Sequence, residues 1–187
     1  FDTITVEAGD QRAAIIKRAK AAKINLRLIG KTGLGLSLDE TTTPATIEAV
    51  AEGLRRHFSG PVVFDPVMVA ASGDPLLNET AIGTLKAHLL PRADLLTPNL
   101  HEAARLLGAD IAMSEASMAE QGKALLAMGP KAVLMKGGHG EGPEAVDLLL
   151  IGEVRDRATM QHALTHALTG NLCLTTLHAT NSYHALS

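Results

Sequence analysis

The chain has 187 residues, 46% hydrophobic and 20% charged, enough for one ordinary domain with a real core. Its formal charge of −3 comes without a Lys/Arg cluster, which excludes an electrostatic footprint for nucleic acid, and no apolar run approaches the roughly 18 residues that span a bilayer. Three Phe, one Tyr and no Trp make the core aliphatic and methionine-filled, and a single cysteine excludes an internal disulfide and fits a reducing, cytoplasmic compartment.

Residues 2–7 (DTITVE) alternate like a strand. Residues 13–22 place Ile15, Ile16, Ala19 and Ala22 on one helical face. Residues 24–29 and 34–38 alternate again around a turn at 30–33, giving a βαββ unit that closes at Asp39-Glu40. Thr43-Pro44 then starts a helix as N-cap and first-turn proline, with Ile47, Val50, Ala51 and Leu54 as its apolar stripe.

From residue 61 to 139 three short apolar runs each end in a polar cluster. Val62-Val63-Phe64 leads to Asp65-Pro66, Leu95-Leu96 to Thr97-Pro98-Asn99, and residues 132–135 to Lys136-Gly137-Gly138. Such runs read as strands buried on both faces, and in open parallel sheets ligands bind at the strands' carboxyl ends. The helix after Asn78 turns Ile82, Leu85 and Leu89 inward, and the helix at 114–128 buries Met118, Leu125 and Met128.

The polar clusters each have two readings. Asp65 either caps the segment that follows or holds water on Mg²⁺ near a phosphate. Asn99 and Glu102 have the spacing of a capping box, and the same helix start at a strand end is an anion site. Lys136 beside two glycines is either a flexible turn or a phosphate contact. Further on, His162 and His166 share a helical face and could bind zinc with Cys173 or His178, although the glutamate of H-E-x-x-H is missing. Residues 172–177 read as a strand, with Cys173 as a small buried apolar residue.

DPVMVAASGDPLL, LLTPNLHEAARLLG and AVLMKGGH, in this order, resemble the hydroxymethylpyrimidine/phosphomethylpyrimidine kinases of thiamine biosynthesis, members of the ribokinase-like superfamily, over about residues 45–150. The resemblance implies ATP and Mg²⁺ as cofactors and a small-molecule pyrimidine as substrate. It puts Asn99 and Glu102 by the metal and phosphates, Lys136 and Gly138 by the nucleotide phosphates, Asp65 near the metal, and Val67 at the pyrimidine pocket. Two features of that family are missing: the glycine-rich strand-turn before this region, and a G-T-G-C loop after it. The nearest string to the latter is TGNLC at 169–173.

The flanks resemble other families. FDTITV, INLR and GLSLDETTT in residues 1–43 are similar to a segment of glycine decarboxylase, the pyridoxal-phosphate P-protein of the glycine cleavage system; no residue here takes a pyridoxal-phosphate role. LLIGEVRDR at 149–157 and TGNLCLTTLHA at 169–179 are similar to type IV pilus retraction ATPases, with Glu153 and His178 in their Walker B and His-box places but no Walker A loop. In this chain Glu153 and Arg155 to Arg157 read as a solvated charged turn.

The expectation is a chimera-like chain of segments 1–43, 44–150 and 151–187 in one compact domain, and, since it opens on Phe1 and stops within a pattern, a fragment. The expected architecture is a three-layer α/β/α sandwich with a mostly parallel sheet and an N-terminal βαββ unit. The expected function is an incomplete kinase-like phosphotransferase. The alternatives are a folded protein without activity and a secretion-ATPase-like motor piece. No membrane or nucleic-acid partner is expected.

Overall fold

A computed structural model describes residues 4–21, 24–36, 42–68, 77–137, 146–154, 161, 165 and 172–177. It is an α/β fold with a mostly parallel sheet. The chain divides into two compact units, Phe1–Asp94 and Leu95–Ser187. The boundary falls within the segment that reads as a single core in the sequence.

The first unit opens with the expected βαββ: β1 (Ile4–Glu7), α1 (Arg12–Ala21), β2 (Arg27–Ile29) and β3 (Gly33–Leu36). Its strands form a small antiparallel sheet in the order β1-β3-β2, with Thr5 and Arg27 both opposite Gly35. The sequence overestimates what α1 buries. None of its residues is buried, because a cleft of about 970 Å³ opens beside it, lined by Ile15, Ala19, Leu34, Val50 and Leu54 among others. None of the candidate site residues lines this cleft.

Helix α2 (Pro44–His57) begins as expected: the Thr46 amide donates to Thr43 Oγ1 at 3.3 Å, and Pro44 spends no donor in the first turn. Its Ile47, Ala51 and Leu54 are buried, as are Ala81, Ile82 and Leu85 of α3 (Glu79–His88), against which it packs. Asn78 caps α3 through the Ala81 amide, 2.8 Å away. Arg92 fastens the exit of α2, donating to the carbonyls of Phe58 and Gly60 at 3.0 and 3.1 Å. In β4 (Val63–Phe64) the expectation of burial on both faces fails: Phe64 is buried but Val63 is 46% exposed.

In the second unit the strands run β5 (Leu95–Leu96), β6 (Ala132–Met135), β7 (Leu148–Val154) and β8 (Leu172–Leu177), in that spatial order. β5 and β6 are parallel, as are β7 and β8, while β6 and β7 are antiparallel. Along β6 burial alternates, with Val133 and Met135 fully enclosed and Ala132 and Leu134 half-covered, so this strand too is not uniformly buried. Helix α4 (Leu100–Leu107) ends at Gly108, whose φ of 66° is one that glycine adopts without penalty. Helix α5 (Glu115–Leu126) buries Met118 and Leu125, whereas Met128 lies beyond the helix end and is only half-buried. α5 comes so close to the sheet that a Cβ on Gly122 would collide with the Leu150 side chain.

Candidate functional site

β5 delivers the chain to Thr97-Pro98, and α4 starts one residue later. Asn99 is in extended conformation (φ −79°, ψ 175°), the shape an N-cap requires. The Glu102 amide donates to Asn99 Oδ1 at 2.9 Å, and the Asn99 amide donates to Glu102 Oε2 at 2.7 Å. The capping box is therefore complete. It also fixes Glu102, whose residue is only 4% exposed, at the positive end of a helix.

β6 brings Lys136 to the same place. The Lys136 amide donates to the Pro98 carbonyl at 2.8 Å, and Asn99 and Lys136 form a parallel bridge that continues the β5–β6 ladder past the ends of both strands. Asn99 and Lys136 thus meet just past two adjacent carboxyl ends, where open parallel sheets place their ligands, and the capping box joins Glu102 to Asn99. Asp65 and Val67 belong to the other unit, in a turn after β4 where the Val67 amide donates to the Asp65 carbonyl at 3.1 Å; both are half-buried. Gly138 lies outside the described residues.

One expectation about this corner changes. Glycine beside Lys136 reads in the sequence as room for a ligand to approach the backbone. At Gly137 the space is taken by the protein: a Cβ there would collide with the Val146 carbonyl oxygen. Its amide donates to Asp147 Oδ1 at 2.9 Å. The sequence reading passed over Asp147; its only signal is an acidic residue immediately before the apolar run at 148–151.

Among the described residues no three His, Cys, Asp or Glu side chains gather as a metal cage. A Mg²⁺ bound through one or two carboxylates and completed by water and phosphate oxygens fits the enclosed Glu102 carboxylate; a cage of protein ligands does not. His162, His166 and His178 of the zinc reading lie outside the described residues, as do Arg155 to Arg157. The charged turn expected at Glu153 is instead strand: β7 continues through Val154, with a register irregularity between Ile151 and Val154. Cys173 lies on β8 opposite Leu149, half-buried, and burial pushes its thiol pKa up, which favours an unreactive thiol.

The sequence of the phosphomethylpyrimidine kinase family matches residues 36–181. The hydroxymethylpyrimidine/phosphomethylpyrimidine kinase of Salmonella typhimurium is 51% identical over 127 residues, covering 68% of this chain and 48% of that protein. The crystal structure of phosphomethylpyrimidine kinase from Clostridium difficile 630 superposes with a TM-score of 0.54 at 39% identity, over 59% of this chain and 47% of that one. A pyridoxal kinase from Staphylococcus aureus, solved with AMP-PCP and pyridoxal, gives a TM-score of 0.51 at 29% identity, over 57% and 38% of the two chains. The chain spans about half the length of the curated relatives it matches. The match runs through most of the C-terminal stretch, and neither the glycine decarboxylase nor the retraction ATPase resemblance finds support in these comparisons. The fold, the two strand ends and the length of the match agree: the chain belongs to the phosphomethylpyrimidine kinase family.

Proposed function

We propose that this chain carries the phosphate-handling part of a hydroxymethylpyrimidine/phosphomethylpyrimidine kinase, which transfers the γ-phosphoryl group of ATP to the hydroxymethyl group or phosphate of a pyrimidine. The observation that carries the reading is the bridge between Asn99 and Lys136 past adjacent strand ends, with Glu102 held to Asn99 by the capping box. In this reading Lys136 supplies positive charge to the nucleotide phosphates, with Gly138 beside it. Glu102 would hold and orient the water around Mg²⁺, and Asn99 fixes Glu102 through the capping box. Val67 borders the pyrimidine. Bound there, Mg²⁺ would supply positive charge to the nucleotide phosphates. The protein's own work is positioning and charge stabilisation. A cytoplasmic compartment, which fits a chain with a single cysteine, is part of this proposal.

A second reading, nucleotide binding without turnover, is favoured by one observation. The nearest string to the family's G-T-G-C loop is TGNLC at 169–173, and residues 172–177 form a strand rather than a helix start. Without backbone donors aimed at the transferring group, rate falls by about 10²–10³ for each donor lost.

A coupled assay of ADP release with Mg-ATP and hydroxymethylpyrimidine, run beside a Mg-ATP titration, separates the readings. Pyrimidine-dependent ADP release that is lost in Lys136→Ala is the result expected of the kinase. Binding weakened in Lys136→Ala, without release, gives the second reading. Absence of both overturns the two together.

A further inference from the structure

We infer that Asp147 is a positioning residue that holds the Lys136–Gly137 backbone in the place from which Lys136 reaches phosphate. The inference rests on the reading of Lys136 as the phosphate contact. A lysine side chain is long and flexible, so where its ammonium can go depends on where its backbone is held. On the β5 side the Lys136 backbone is tied to the Pro98 carbonyl and by the Asn99 bridge. The next residue is glycine, the residue with the freest backbone, standing where β6 ends.

Asp147 supplies the other side. Its Oδ1 accepts the Gly137 amide at 2.9 Å, a contact from a carboxylate and so stronger than one between neutral groups. The carboxylate is itself well placed: Asp147 directly precedes Leu148, which pairs with Met135, the residue before Lys136. The close fit of Gly137 against the Val146 carbonyl comes from the same neighbour. Three strand ends, of β5, β6 and β7, are thereby tied through two consecutive residues. Gly137 is buried, so its amide without Asp147 has no easy recourse to water.

The test reads the clamp and its purpose separately. In the labelled 187-residue chain, a through-hydrogen-bond scalar coupling should connect the Gly137 amide nitrogen and the Asp147 carboxyl carbon. Asp147→Asn keeps an acceptor oxygen, and Asp147→Ala removes it. Relative to the unsubstituted chain, Asp147→Ala should speed exchange of the Gly137 amide and raise the Kd for Mg-ATP, each by about tenfold, the scale of losing a supporting contact to a binding group. Val133 exchange should not change, and Asp147→Asn should stay within about threefold on both counts. Absence of the coupling, an Asn variant as impaired as Ala, or faster exchange with Mg-ATP affinity untouched overturns the inference. Failure of the unsubstituted chain to bind Mg-ATP overturns the kinase reading, while the coupling and exchange still decide whether the clamp exists.

Discussion

At Gly137 an added Cβ would press on the Val146 carbonyl, which is backbone and cannot turn aside as a side chain can. Gly137→Ala is therefore expected to cost about 1–3 kcal/mol through overpacking, read as the change in unfolding free energy in urea. Gly53 makes the opposite control. It sits inside α2 with nothing within 4 Å of a Cβ, so Gly53→Ala should stabilise by up to about 1 kcal/mol through helix propensity. Both are glycines in one sequence, and local pattern cannot tell them apart. What separates them is the Val146 carbonyl, brought in from the segment that leads into β7. For the same reason Asp147 was invisible, while Asn99 and Glu102 were not: their bonds close within three residues, and the spacing alone states them.

Among the elements, α2 carries a charge arrangement that can be titrated. Arg55 donates through Nε and Nη2 to the two carboxylate oxygens of Glu52, both at 2.8 Å, and Arg56 also pairs with Glu52. The hydrogen bonds from Arg55 hold the Glu52 carboxyl at about 2, below its ordinary value of 4.5. Because the folded pKa is depressed, the contribution of Glu52 is fully present above pH 4.5 and is lost as the pH falls toward 2. The group is exposed and screened by salt, so the effect is small. The melting temperature of the unsubstituted chain should exceed that of Glu52→Gln slightly at pH 7 in low salt, and the difference should close near pH 2. Helix starts were also the most legible part of the fold: Thr43, Asn78 and Asn99 cap as their sequence suggests, while Ser114, read as the first residue of its helix, is the cap before it. Burial was less legible. Val63, Leu134 and Met128 are more open than their apolar surroundings imply, because the packing partner of a short run is decided elsewhere in the chain.

For the whole molecule, the two compact units divide the candidate residues. Asp65 and Val67 belong to Phe1–Asp94, while Asn99, Glu102 and Lys136 belong to Leu95–Ser187. Under the proposed function Val67, for the pyrimidine, and Lys136, for the nucleotide, fall in different units. Lys136→Ala should raise the Kd for Mg-ATP about tenfold or more and leave that for hydroxymethylpyrimidine unchanged, and Val67→Asp should do the reverse, as two calorimetric titrations would show. A Lys136→Ala chain that binds Mg-ATP as tightly as its parent would remove the nucleotide role of the second unit. The order of the motifs announced the α/β class and the family. It did not announce the boundary at Asp94, because no turn-rich linker marks it, nor the reversal between β6 and β7, because apolar runs carry no direction.

That reversal has a consequence in time. Met135 and Leu148 pair across a short stretch of chain, whereas pairing Leu96 with Val133 requires α4 and α5 to be gathered first. The entropy lost in closing a loop grows with its length, and local contacts form before distant ones. Of these two pairings, β6–β7 is therefore expected to form first. Lys136, Gly137 and Asp147 sit at the end of this pair where the chain leaves β6 and enters β7, so they would be drawn together before β5 joins.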